Sequence, residues 1–239
     1  MNEQPIRIAI LDSVPKFHWR DDNGVTDGQK FVDLLAPENV NAKFDIFYVS
    51  EYEFPDIIES YDGYLLTGSP VSVHDNHDWI KMLSEFVGQA DNKNKPIVGV
   101  CFGHQLIAKY FGGVVGNNEK GWMIGSFPLE IKKKFPWMKN TLDTTDLYHF
   151  NKERVTKLPE GAISFASTKD YPDFAYTLGN NIACLQGHPE QPKRAMYNFL
   201  EVTKKVLTEK ELEKAKLRIE NGKSDSSIWA QWIMEFFCS

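Results

Sequence analysis

The residues whose types and spacing can do chemistry lie in Ile97-Val98-Gly99-Val100-Cys101-Phe102-Gly103-His104-Gln105, an apolar run feeding a G-x-C-x-G turn. The pattern is that of a nucleophile elbow with sulfur in place of the usual oxygen. A sharp strand-to-helix turn holds its central residue under strain. It needs small neighbours so that strand and helix can approach each other, which Gly99 and Gly103 permit. Cys101 then stands at a helix N-terminus, whose partial positive charge favours the thiolate, the form that attacks carbon. The amide of Phe102, directly after the nucleophile, is placed where negative charge develops in a tetrahedral intermediate. Gly68, in Thr67-Gly68-Ser69-Pro70 at the end of another strand-like run, is a natural second oxyanion donor.

A sulfur nucleophile needs a base, and the base an orienting group. Of the six histidines, His188 in Gln186-Gly187-His188-Pro189-Glu190 follows a strand-like run and has a carboxylate two positions on. An extended chain brings that carboxylate within reach of the imidazole. Cys101, His188 and Glu190 are therefore the predicted triad. Other candidates carry plainer readings. Cys184, inside an apolar run, is a small buried hydrophobe. His74 and His77 fit a helix start capped by Asn76 or Asp78 better than a metal site, so no metal is expected. His104 reads as support for the site wall and Lys132-Lys133-Lys134 as a solvated turn. Trp19, Trp122 and Trp137 fit packing better than an acceptor pocket.

The elements that must position these groups alternate along the first half of the chain. Residues 7–11, 44–49, 63–67 and 96–101 are short apolar runs that predict buried strands, while 28–35 and 78–90 have helical spacing. Such alternation predicts an α/β fold with a central, mostly parallel mixed sheet flanked by helices. A short helix over 105–111 ends at Gly112-Gly113. Strand-like runs at 124–131, 162–166, 174–178 and 181–186 follow with little helix between them, predicting an antiparallel extension. Helices are predicted over 193–207, 209–220 and 226–237, the last with an apolar stripe of Ile228, Trp229, Trp232, Ile233 and Phe236 that docks on the domain. The chain thus divides into a main domain over 1–200 and a helical C-terminal extension over 201–239 packed on it.

Composition bounds the partners. With 239 residues, 42% hydrophobic and 25% charged, the chain has the make-up of an ordinary folded domain rather than a disordered or fibrous one. A formal charge of −6 lacks the positive field that phosphate backbones require, so nucleic acid is not an expected partner. No apolar run approaches the roughly 20 residues needed to span a bilayer. No basic segment followed by an apolar one opens the chain. The expectation is a cytoplasmic protein with no membrane partner. Its three cysteines form no C-x-x-C pair and are too scattered for a disulfide framework, so each is read as a free thiol.

G-x-C-x-G-x-Q, followed far downstream by G-H-P-E and preceded by a strand ending Thr-Gly-Ser-Pro, resembles the class I (triad-type) glutamine amidotransferases, most closely their GMP-synthetase-like stand-alone members. The resemblance spans about residues 6–200. It implies a flavodoxin-like mixed sheet between helices and a reaction on glutamine or another γ-glutamyl compound. Cys101 would form a γ-glutamyl thioester, His188 would act as general acid and base, and Glu190 would orient it. Gly68 and Phe102 would supply the oxyanion amides. Gln105 would contact the bound glutamyl group, and the backbone around Tyr148, in Leu147-Tyr148-His149, would be the family's loop that holds the substrate's α-amino and α-carboxylate ends. No metal or organic cofactor is implied.

Two departures qualify the match. Relatives of GMP synthetase commonly place H-G-D or H-x-D ahead of a Val-Thr-x-Leu-Pro segment. Here the stretch reads His149-Phe150-Asn151-Lys152-Glu153-Arg154-Val155-Thr156-Lys157-Leu158-Pro159, without that aspartate and with a longer loop. Nor does an ATP-dependent synthetase domain follow Glu190 in the sequence. Two enzyme readings therefore stand open: a glutaminase subunit feeding ammonia to a synthetase partner, or a self-contained γ-glutamyl peptidase. The extra segment over 12–40 favours the second. A non-catalytic binding or regulatory module is a third reading, against which three intact triad residues speak.

Overall fold

The structure, a computed structural model, describes residues 5–16 and 24–239; Trp19 lies outside the described residues. Along the chain run β1 (Arg7–Asp12), α1 (Asp27–Leu35), β2 (Lys43–Tyr48), β3 (Gly63–Leu66), α2 (Asp78–Asn92), β4 (Ile97–Val100) and α3 (Phe102–Tyr110). Then follow β5 (Val114–Asn117), β6 (Met123–Ile131), β7 (Thr144–Asn151), β8 (Glu153–Lys157), β9 (Ile163–Ser167), β10 (Ala175–Leu178) and β11 (Ile182–Leu185). Three helices close the chain: α4 (Lys193–Thr203), α5 (Glu209–Asn221) and α6 (Ser226–Phe237).

A nine-stranded sheet takes the order β2-β1-β3-β4-β11-β10-β9-β6-β7. Neighbours from β2 through β11 are parallel, and those from β11 through β7 antiparallel. The parallel half is the half whose strands are mostly separated by helices, because a parallel pair needs a crossover and an antiparallel pair only a turn. β5 and β8 pair separately.

Side chains alternate across the central strands with period two. Ile8 and Ile10 face Phe31 and Leu35 of α1 and Trp229, Trp232 and Phe236 of α6, while Ala9 and Leu11 share a cluster with Leu83 and Val87 of α2 and Leu106 and Ile107 of α3. Helices α1 and α6 thus cover one face, and α2 and α3 the other. Gly99 belongs to the α3 face. A Cβ on it would lie 2.7 Å from Ile107 Cδ1 and 2.9 Å from the Gly103 carbonyl carbon.

The final helices are bound tightly to the sheet. A Cβ on Gly125 of β6, whose φ is +106°, would sit 2.6 Å from Arg218 Cβ, so α5 lies directly on that strand. Helix α6 buries its apolar stripe, and Trp229 Nε1 donates to Thr145 Oγ1 at 3.1 Å. No helix among the described residues is long and apolar enough to cross a membrane.

Several local expectations change. The helix expected from Gln105 begins at Phe102, because its first turn is the elbow itself. Strands β5, β7 and β8 have no counterpart in the sequence reading; on β7 buried polar residues such as Thr145, His149 and Asn151 blur the apolar alternation. Tyr148, expected in a loop, lies on β7 and pairs with Ser126 of β6. The cap expected from Asn76 or Asp78 falls to His77, which stacks on Trp79, and His74 Nε2 contacts the Val115 carbonyl at 3.1 Å. Trp122 packs on Phe150, and Trp137 stacks on Phe135. Cys184 is buried, and burial pushes its thiol up to about 12.

Because Trp229 fills the layer under β6 through β11 and is 2% exposed, its replacement by alanine should cost about 3–5 kcal/mol of unfolding free energy. Urea denaturation of Trp229→Ala checks this, and a loss below about 1 kcal/mol would place α6 outside the core.

Candidate active site

Cys101 leaves β4 and enters α3 with φ 50° and ψ −99°. A non-glycine residue with positive φ carries strain of order 1–3 kcal/mol and persists only where its surroundings impose it. Two hydrogen bonds impose it here. The Cys101 amide donates to the Leu185 carbonyl of β11 at 2.9 Å, and the Gly103 amide to the Thr67 carbonyl, just past β3, at 3.2 Å. Strands β3 and β11 flank β4, so the elbow is tied down on both sides.

The second of these bonds also orients the Gly68 peptide. In a trans peptide the carbonyl and amide point in opposite directions. With the Thr67 carbonyl turned to α3, the Gly68 amide turns away from it. A Cβ on Gly68 would lie 3.6 Å from Cys101 Cβ and 3.0 Å from His188 Cε1, so this glycine borders both groups. The Thr67 hydroxyl fixes the segment by accepting from the Ser13 amide at 2.9 Å and donating to the Gly68 carbonyl at 2.9 Å. Phe102 is the first residue of α3, and its amide has no acceptor within the helix. Among the described residues neither the Gly68 nor the Phe102 amide donates to a protein acceptor.

His188 is delivered from the end of β11. A Cβ on Gly187 would sit 2.6 Å from Phe174 Cζ, which requires glycine there. The His188 amide donates to the Tyr148 carbonyl at 2.8 Å in an antiparallel bridge. Its Nδ1 donates to Glu190 Oε1 at 2.7 Å, and the ring and the Cys101 side chain both border Gly68. Both His188 and Glu190 are buried. Burial favours a neutral imidazole, but the Glu190 carboxylate and the Cys101 sulfur together outweigh it and hold His188 well above the ordinary histidine value. A cysteine sulfur, an imidazole whose charged form is favoured and two unpartnered amides thus lie side by side. That set can attack a carbonyl, hold the resulting oxyanion and protonate a leaving amine.

Two further predicted residues sit differently. Gln105, one turn along α3, donates through Nε2 to the Glu153 carbonyl at 2.9 Å and to Gln186 Oε1 at 3.0 Å. The Tyr148 carbonyl is committed to His188, and its side chain joins Ile124, Met196, Leu200 and Ile219 in a separate cluster. The structure therefore brings Cys101, His188, Glu190, Gly68 and Phe102 together, links Gln105 through buried amides and turns the Tyr148 side chain elsewhere.

Apart from His104, read from the sequence as support for the site wall, the supporting groups escaped the sequence reading. Asp12 closes β1 and accepts from the Val14 and Gly28 amides at 3.0 and 2.8 Å. Burial and then Asp27 push its carboxyl up to about 6. Lys30 donates to Asp27 Oδ1 at 2.8 Å and to Gln191 Oε1 at 3.3 Å, tying α1 to the residue after Glu190. The only sequence signal for Asp12 was a carboxylate at a strand end. His104, fully buried and pushed down to about 3 by burial, reaches the Tyr171 hydroxyl at 3.4 Å through Nε2. His149 lies between Phe127 and Phe174, and burial first, then His188 and Arg218, keep it neutral.

The fold defines a class. It is similar to the crystal structure of a glutamine amidotransferase from Thermotoga maritima, with a TM-score of 0.75 at 19% identity over 99% of this chain and 97% of that one. The family model "Glutamine amidotransferase class-I" matches residues 29–202, and the chain belongs to that family. Gamma-glutamyl peptidase 3 of Arabidopsis thaliana is 28% identical over 86% of this chain and 86% of its own length. The glutamine-hydrolyzing GMP synthase of Wolbachia pipientis wMel is 28% identical over 85% of this chain but 42% of its own length.

The charge on Glu190 is one of the groups holding His188 protonated, so Glu190→Gln should lower the pH at which the ring loses its proton. An NMR titration of the His188 ring carbon checks the sign. An unchanged midpoint would show that Glu190 does not support the cation.

Proposed function

We propose that the chain is a stand-alone γ-glutamyl hydrolase that cleaves γ-glutamyl peptides through a thioester on Cys101. The observation that carries this reading is the thiol held at the strained elbow, close to the His188 ring and bordered by the two unpartnered amides. In the first half-reaction the Cys101 sulfur attacks the γ-carbonyl carbon, and the Gly68 and Phe102 amides bind the oxyanion. His188 passes its proton to the leaving amine, the C–N bond breaks, and a γ-glutamyl thioester remains. In the second, His188 takes a proton from water, whose oxygen attacks the thioester carbon and releases glutamate. Glu190 holds the imidazole in the orientation both steps need.

A peptide rather than glutamine is favoured by the relatives. The γ-glutamyl peptidase matches over 86% of its own length, whereas the GMP synthase matches over less than half of its length. On this reading the amine released from the peptide is itself the product, and no ammonia is passed to a synthetase.

Glutamate release from glutathione and from L-glutamine, each with the Cys101→Ala variant as blank, tests the proposal. Turnover of glutathione should exceed that of L-glutamine. Cys101→Ala and His188→Ala should each lose at least about 10³-fold, because groups that act as a unit fail together. Faster release from L-glutamine would favour an ammonia-supplying subunit instead. Release that survives in Cys101→Ala would sink the mechanism.

A further inference from the structure

Strand β1 pairs with β3 as far as Leu11 and Leu66, and the Thr67 amide still donates to the Leu11 carbonyl at 3.2 Å. A parallel ladder would continue with the Ser13 amide on the Thr67 carbonyl and the Ser69 amide on the Ser13 carbonyl. Neither of these bonds forms. The Ser13 amide goes instead to the Thr67 hydroxyl at 2.9 Å, and the Ser13 carbonyl takes the Ser69 hydroxyl at 2.7 Å. Side chains thus carry the ladder onward past the point where the main chain after β3 leaves it. The Thr67 carbonyl is released to accept from Gly103 at 3.2 Å, and the Gly68 amide keeps no protein acceptor among the described residues.

We infer that the Ser69 hydroxyl, by standing in for the main chain on Ser13, holds the Gly68 peptide still and makes Ser69 a positioning residue for the reaction. The inference rests on the hydrolase reading above, in which the Gly68 amide binds the oxyanion. Glycine is required at 68, where a Cβ would lie 3.0 Å from His188 Cε1, yet glycine is the residue least able to keep one conformation by itself. The flanking hydroxyls supply that restraint. They stand on either side of Gly68 and both end on Ser13, which is fully buried, and Thr67 Oγ1 also donates to the Gly68 carbonyl at 2.9 Å. Ser69 Oγ accepts in turn from the Val71 amide at 3.2 Å, which fixes the direction of its own proton. An amide fixed before the reaction stabilises developing charge without reorganising, and one free to swing does not. Farther along the loop Ser72 Oγ donates to Glu153 Oε2 at 2.7 Å and Lys109 Nζ to the Val73 carbonyl. The loop therefore keeps its course when the half-buried Ser69 hydroxyl is removed, and the restraint lost is the one beside Gly68.

Steady-state kinetics of the full chain reads the restraint, on glutathione or L-glutamine, whichever the wild-type chain turns over faster. Ser69→Ala should lower kcat about tenfold, the upper scale of one hydrogen bond. KM should stay within about twofold, because the oxyanion exists only in the transition state. Ser69→Thr, which keeps the hydroxyl, should restore kcat. A second readout is inhibition by 5-oxopentanoate, an aldehyde to which the Cys101 sulfur adds while the thiol proton passes to the aldehyde oxygen, giving a tetrahedral hemithioacetal. Its inhibition constant should rise in Ser69→Ala by the factor by which kcat falls, while that of glutarate, which forms no adduct, stays unchanged. An undiminished kcat in Ser69→Ala overturns the inference, as does an equal loss in Ser69→Thr. Equal weakening of aldehyde and glutarate would mean a merely structural role and overturns it too. A wild-type chain with no Cys101-dependent release overturns the hydrolase reading and this inference together.

Discussion

The elbow at Cys101 is the constraint on which the site depends. Its positive φ exists because β4 and α3 touch through two glycines, and because the flanking strands hold the turn through the Leu185 and Thr67 carbonyls. Each contact does more than restrain the cysteine. The Thr67 carbonyl, by accepting from Gly103, also fixes the peptide that carries the Gly68 amide beside Cys101. Strand β11, which carries the Leu185 carbonyl, goes on to deliver His188. Cys101, His188 and the Gly68 and Phe102 amides are therefore set by three adjacent parallel strands, and a shift in any of them would move the others. This is the usual placement of sites in open α/β sheets, outside the carboxyl ends of the strands.

Around that centre lies a second layer of buried polar groups. Asp12, Thr67, Gln105, Gln186 and Tyr171 are all buried, and each hydrogen-bonds a backbone amide or carbonyl or a neighbour that does. Such networks are costly when incomplete and rigid when complete. Here they anchor loop ends that would otherwise be free: Asp12 the start of α1, Thr67 the segment at Gly68, Gln105 and Asn151 the turn between β7 and β8. The C-terminal helices serve the same end from outside, since α6 roofs the face of the sheet opposite α3 and α5 backs β6.

The parallel half of the sheet was legible because its strands are dense apolar runs separated by helical periodicity. The elbow was legible because glycine spacing around a cysteine at a strand end has few other causes. Residue types also pointed to His188 and Glu190, two apart after a strand. What stayed hidden was polar and long-range. Strand β7 is hard to read because Thr145, His149 and Asn151 are buried polar residues, so hydropathy does not mark it. Tyr148 consequently read as a loop residue, although its carbonyl is what holds the His188 backbone. Gln186 and Tyr171 act through each other and through Gln105, far away in the chain, and no local pattern announces such a chain of amides.

Covalent catalysis on Cys101 is the central claim, and mass spectrometry of the intact protein, quenched in acid during turnover of glutathione, tests it most directly. The account predicts a fraction of protein heavier by one γ-glutamyl group, with the added mass mapping to the peptide that contains Cys101 and removed by hydroxylamine. Sustained turnover with no such adduct, or with the group carried on another residue, would contradict it.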